Sequence, residues 1–227
     1  MQKLLNFAVI LSLCFFTLPA AAAAGSMDQQ ISSIQHEWAR IKYQVPDKDT
    51  QLKDFARLEE KAAALTSAFP DKAEPKIWQA IVLATDASVI NGISALPKIK
   101  TAKALLETAI SINPVALKGS AQGVLGSLYY RVPGWPISFG DNKKAETYLT
   151  AALKLNPDGI DPNYFYGDYL IQKGQYDKAI PVLEHALQAP ARPGREVADA
   201  GRHQEIKAAI AKAQKELKSS NKSTLNR

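Results

Sequence analysis

The chain has 227 residues, 46% of them hydrophobic, with a net charge of +6 and a single cysteine. That length is ample for one core or a short solenoid, and one cysteine excludes an intramolecular disulfide, so stability must come from core burial. Much of the basic excess lies near the C-terminus in "RHQEIKAAIAKAQKELKSSNKSTLNR"; this segment reads as the solvated face of a terminal helix, and without an aromatic for base stacking it excludes nucleic acid as a partner.

In chain order, the first element is a leader. Lys3 supplies a positive start, Leu4 to Leu18 form an apolar run, and "PAAAAAG" offers small-x-small cleavage sites. The pattern is that of a secretory signal peptide over residues 1–24, cleaved after Ala22 or Ala24. Removal takes Cys14 with it, and an exported chain without cysteines suits a periplasm. Cys14 does not read as a lipid-modified cysteine, because Leu13 is bulky where a lipobox wants a small residue, and Phe15 and Phe16 continue the apolar run. The expected mature protein is one helical domain, 25–218, with a polar, disordered tail at 219–227. No later segment has the apolar length to span a bilayer.

Downstream, one phrase recurs. "AKALLETAISINP" places Ala102, Leu106, Ala109 and Pro114 at the same offsets as Ala145, Leu149, Ala152 and Pro157 in "AETYLTAALKLNP". "AIPVLEHALQAP" repeats them as Ala179, Leu183 and Ala186, with Pro190 one place early. "LEEKAAALTSAFP" is a weaker copy, with Leu58, Ala62, Leu65 and Pro70. Offsets of four and seven lie on one helix face. Alanines there permit close helix approach, and the proline ends each unit. A first helix precedes each of the three clearer copies, marked by Trp78 and Ile81, by Leu125, Gly126 and Tyr129, and by Tyr166, Gly167 and Leu170. Asp161 and Pro162 read as the N-cap and first turn of the last of these.

These phrases resemble tetratricopeptide repeats, antiparallel helix pairs of about 34 residues, over roughly Trp38 to Pro190. The resemblance implies an all-α superhelix with a concave groove lined by the first helices. Ile206, Ile210, Ala213 and Leu217 form one stripe on a C-terminal capping helix.

Two repeats carry extra length between their helices, in "DASVINGISALPK" (Asp86 to Lys98) and "RVPGWPISFGD" (Arg131 to Asp141). Equivalent turns of successive repeats share an edge. Trp135 and Phe139 are therefore expected against Ile90 or Ile93, forming either a cover for the core or a wall of the groove. The repeat register places Gln79, Leu83 and Asp86, then Gly123, Ser127, Tyr130 and Arg131, then Tyr164, Asp168 and Ile171 toward the groove. Of these, Gln79, Leu83, Asp86, Ser127, Tyr130, Arg131, Tyr164 and Asp168, together with Trp135 and Phe139, are the candidate binding residues.

A narrower resemblance rests on "GWPISFGD", "KAETYLTAALKLNP" and "NYFYGDYL". Over Trp78 to Ala189 the chain is similar to the T component of TRAP-type periplasmic transport systems and to the repeat region of mitochondrial regulators of microtubule dynamics. That likeness implies binding of a partner, such as a solute-binding protein, or of a small solute, and no catalysis. The absence of a lipobox departs from T components that are lipoproteins.

Catalytic signatures are missing. "GISAL" lacks the closing glycine of a nucleophile elbow. His36, His185 and His203 are isolated, "DGIDPN" lacks the spacing of a calcium loop, and no phosphate-cradling or dinucleotide motif occurs. Gln79, Gly123 and Tyr164 stand where repeats that clamp a C-terminal carboxylate carry lysine and asparagine. The expectation is a non-catalytic exported module, without cofactor or metal, that grips a protein or peptide in its groove; the alternative is a transport accessory holding a small apolar or amphipathic solute.

Overall fold

The computed structural model describes residues 25–225, with side chains as far as Ser220. The signal-peptide assignment at 1–24 lies outside the described residues. Among the described residues the regular structure is helical throughout.

The helices pair in sequence order: α1 (Met27–Gln44) with α2 (Lys48–Ala68), α3 (Ala73–Ile90) with α4 (Leu96–Ile112), α5 (Ser120–Arg131) with α6 (Asn142–Leu155), and α7 (Ile160–Gln172) with α8 (Tyr176–Leu187). Local chemistry sets their starts. Ser26 and Gln29 form a reciprocal capping box on α1, Asp47 accepts from the Thr50 amide at α2, and Asp141 accepts from the Lys143 and Lys144 amides at α6. Each satisfies donors that the first helical turn leaves unpaired. Asn113–Pro114 and Asn156–Pro157 follow the ends of α4 and α6, where proline cannot continue the ladder.

The recurring phrase is the packing seam. Leu58, Ala62 and Leu65 on α2, Ala102, Leu106 and Ala109 on α4, Ala145, Leu149 and Ala152 on α6, and Ala179, Leu183 and Ala186 on α8 are all exposed by 2% or less. Burial of each leucine stabilises the fold by roughly 1.5–3 kcal/mol, and the alanines keep the helix axes close. In the third and fourth pairs the first helix answers with glycine. A Cβ on Gly126 would lie 2.8 Å from Leu149 Cγ and 3.1 Å from the Leu149 backbone nitrogen, so α5 and α6 could not approach as they do with a larger residue. Gly167 meets Leu183 in the same way one repeat later.

First helices also touch one another in the series α1, α3, α5, α7, which forms the inner layer; α2, α4, α6 and α8 lie outside it. The final helix, α9 (Glu196–Leu225), packs on α8 through buried Ile206 and Ala213, as a cap should. It also reaches α7 and α1. Gly201 makes that last contact possible, since any Cβ there would collide with the Tyr43 ring. The helix runs on to Leu225, past Ser219, where the sequence reading ends it.

The two insertions differ. Most of Asp86 to Lys98 is helical: α3 runs through Ile90 and α4 begins at Leu96, leaving a turn at Asn91 and Gly92 (φ 62° and 78°) and one 3-10 turn, Ile93–Ala95. Between Arg131 and Asn142 there is a true loop. It is fastened by the Gly140 amide to the Pro133 carbonyl at 2.9 Å and the Asp141 amide to the Tyr129 carbonyl at 2.9 Å. Phe139 packs edge-on against Tyr129 at 5.4 Å, with Lys103 of α4 above its ring. The expected contact of Trp135 with the preceding loop is not made: Trp135 is 90% exposed and Ile93 78%. The loop's internal hydrogen bonds satisfy its backbone, so its tip does not need a neighbour.

Two predictions follow from this packing. Ala152→Glu should destabilise by about 3–5 kcal/mol, because it places an unpaired carboxylate in the α5–α6 seam, while Lys154→Glu on the exposed side should shift the thermal melt hardly at all; equal melts would contradict the register. Trp135→Ala should cost less than about 0.5 kcal/mol and Phe139→Ala about 1–2 kcal/mol, as measured by urea denaturation.

Candidate functional site

The inner layer does not pack shut. It encloses a cleft of about 1100 Å³ bounded by α1, α3, α5, α7, the linker 188–195 and the start of α9. Small side chains on the inner helices leave the space: Ala84 and Ser88 on α3, Gly123 and Ser127 on α5. Trp38, Trp78 and Phe165 form aromatic walls. Trp38 and Trp78 meet edge to face at 6.0 Å, and Trp38 Nε1 donates to Thr85 Oγ1 at 2.8 Å, which fixes the ring. The turn before α5 contributes Leu117 and Lys118 in left-handed backbone (φ 46° and 53°), a conformation costly for non-glycine residues and often found at functional sites.

Several expected groove residues lie elsewhere. On α3 the cleft face is Trp78, Ile81, Thr85 and Ser88; Gln79 is half-buried outside the lining, and Leu83 is in the core. Asp86 is 2% exposed and turned toward α4, ion-paired with Lys98 at 2.5 Å, and Lys98 also holds Glu59 of α2 at 2.7 Å. The repeat register misplaces this face because α3 buries residues on all sides, so no polar stripe marks its orientation. Ile171 is likewise buried in the core beside α8 rather than in the lining. On α5 Gly123, Ser127 and Arg131 line the cleft, and on α7 Tyr164 does.

Tyr130, Arg131 and Asp168 are brought together. The Tyr130 hydroxyl donates to Asp168 Oδ2 at 2.6 Å, Arg131 Nη2 donates to the same oxygen at 2.6 Å, and Arg131 Nε donates to the Tyr130 oxygen at 3.2 Å. Burial, with Asp168 adding to it, pushes the Tyr130 phenol well above its ordinary range, so it stays a donor. This triad ties α5 to α7 at the cleft edge. Trp135 and Phe139 are not in the lining; the loops contribute Asn91, Ile93, Val132 and Pro133 instead.

Asp161, expected as an N-cap, has another role. Gly159 is the N-cap of α7. Asp161 lies in the first turn and binds Arg192 Nη1 at 2.6 Å and Arg202 Nε at 2.8 Å. Arg192 also pairs with Asp199 at 2.5 Å, and Arg202 with Glu205 at 2.5 Å. Glu205 in turn holds Lys42 at 2.9 Å and accepts from the Tyr43 hydroxyl at 3.2 Å, both on α1. His36 of α1 binds the Gly194 carbonyl at 2.7 Å. Burial opposes ionisation of Asp161, but Arg202 and Arg192 outweigh it and hold the carboxyl well below the ordinary aspartate range. Burial and nearby Arg202 lower Lys42 to about 8, with Glu205 opposing. The arginines of this network and both tryptophans were not singled out as site residues from sequence. The legible signal was "ARPGR" after the last repeat, a basic turn leading into the cap.

Among the described residues no group of histidine, cysteine, aspartate and glutamate side chains is placed to hold a metal ion, and no helix is long and apolar enough to cross a membrane.

Residues 137–210 match the tetratricopeptide repeat family model. No curated protein sequence matches the chain. Over that stretch the chain is similar to tetratricopeptide repeats, and the stacking of successive helix pairs is that of a helical solenoid.

Asp161→Asn should destabilise by about 3 kcal/mol, since it strands Arg192 and Arg202 without their shared carboxylate. The Asp161 pKa is depressed on folding, so its contribution is complete above the unfolded value of 3.8 and fades as pH falls through the lower folded value. Denaturant melts from neutral pH downward should therefore show a shallower acid loss in Asp161→Asn than in the parent protein.

Proposed function

We propose that the protein is an exported, non-catalytic interaction module that takes an extended protein or peptide segment into the cleft between its inner helices. The observation that carries this reading is the cleft itself. The inner face carries small side chains where packing would otherwise close it, and aromatic walls where a ligand needs area. Export rests on the leader read at 1–24. The absence of catalytic constellations in the sequence and the family match over 137–210 both favour a binding role.

A second reading keeps the same cleft and fills it with a small apolar or amphipathic solute, as for an accessory of a TRAP-type transporter. Contact of α9 with α1 favours this one, because it walls one side of the cleft and leaves a half-open pocket of about 1100 Å³.

Ser88→Trp tests both. Ser88 is exposed on the α3 rim and lines the cleft, so the change should leave the melt within about 0.5 kcal/mol while filling the site. Peptides selected by display on the full chain should lose at least about tenfold in affinity for the variant. Unchanged peptide affinity would place binding outside the cleft. A small molecule retained in native mass spectra of the parent and lost from the variant would favour the solute.

A further inference from the structure

Three of the four arginines lining the cleft are matched. Arg131 pairs with Asp168, Arg192 with Asp161 and Asp199, and Arg202 with Asp161 and Glu205. With Lys42 on Glu205, these four bases and four carboxylates cancel. Of the other charged lining groups, Lys118 is exposed and Asp158 is held by His185. Arg195 is different. It makes no ion pair among the described residues and lies 5.1 Å over the ring of Trp78. Its Nε is buried without an acceptor, and so is the indole Nε1 of Trp78 beneath it.

We propose that Arg195, stacked over Trp78 on the cleft wall, is the docking point for the carboxylate of an amphipathic ligand whose apolar body lies along the aromatic wall. Arg195 lines the cleft without a carboxylate of its own, so an acceptor-rich group entering the cleft meets an unpaired guanidinium. A carboxylate offers two oxygens to the fork of a guanidinium. The ion-paired network leaves one cation uncompensated on this wall, which fits a monoanion. A dianionic phosphate would bring a second negative charge into a cleft that Asp161 and Glu205 also line, where the other unpaired cation of the lining, Lys118, is solvent-exposed. Burial, then the proximity of Arg192 and Arg202, depress the Arg195 guanidinium, with Asp161 and Asp199 opposing. The position also differs from that of repeats that clamp a C-terminal carboxylate with their inner helices: Arg195 comes from the linker before the cap.

The inference rests on the cleft being a binding site and not on the ligand being a peptide, so it survives if display selection fails. The test uses the full-length chain and matched probes: octanoate against octanol and octylammonium, and acetyl-Leu-Phe-Leu as free acid against its amide. Titration calorimetry should find at least one acid bound about tenfold more tightly than its neutral counterpart. Preference for octanoate alone would identify a small acid as the source, and preference for the peptide acid a polypeptide carboxylate. Arg195→Gln should abolish the preference while the neutral probe binds as before, and Arg195→Lys should retain part of it. Lys118→Gln should leave it intact, and a thermal melt confirms that each variant is folded. No preference for either acid, no binding of any probe at millimolar concentration, or a preference that survives Arg195→Gln would each overturn the assignment.

Discussion

Arg202 is the constraint on which the shape of this molecule depends. Its side chain is 7% exposed, and a guanidinium so far from water must have its charge met in place. Asp161 of α7 and Glu205 of its own helix meet it, and the rings of Tyr164 and Phe165 lie 4.3 and 5.2 Å from it. Because Glu205 also holds Lys42 and Tyr43, compensation of one buried cation links the last helix to the first. That link holds α9 against α1 as well as α8, together with the close fit of Gly201 on Tyr43 and the His36 bond to the Gly194 carbonyl.

The cleft then follows from a contrast in side-chain size. Outer helices use alanine and leucine to bring the axes of each pair together, and on α5 and α7 a glycine completes the approach. On the inner face the same economy of volume leaves space rather than contact. Gly123 illustrates the balance: a Cβ there would sit 3.6 Å from Ala152 and from Phe165, an ordinary contact, so close packing does not demand glycine, and its smallness widens the cleft. At Gly126, three residues on, the fold does require it.

The loop between α5 and α6 is a separate feature. It is stiffened by its own hydrogen bonds and anchored by Phe139, yet it presents Trp135 and half-exposed Ile137 to solvent at its tip. Scattered exposed apolar residues are common and by themselves require no partner. What the loop gives the cleft comes from its base, where Val132 and Pro133 continue the wall begun by α5.

The sequence by itself determined the helices, their pairing and the buried seam. Offsets of four and seven are a property of one helix, so Ala145, Leu149 and Ala152 could be read as a contact face without knowledge of what they touch. It also located the added length and four of the residues that line the cleft, Gly123, Ser127, Arg131 and Tyr164. It could not orient α3, because a helix buried all round carries no amphipathic signal, and so Trp78 and Thr85 face the cleft where Gln79 and Leu83 were expected. Nor could it assign Asp161, whose partners stand 31 and 41 residues away. Closure of α9 onto α1 and the unmatched charge of Arg195 belong to the tertiary structure alone. Both depend on which charges meet across the interior, and that pairing is set by the superhelical turn, to which every repeat contributes and which no single repeat encodes.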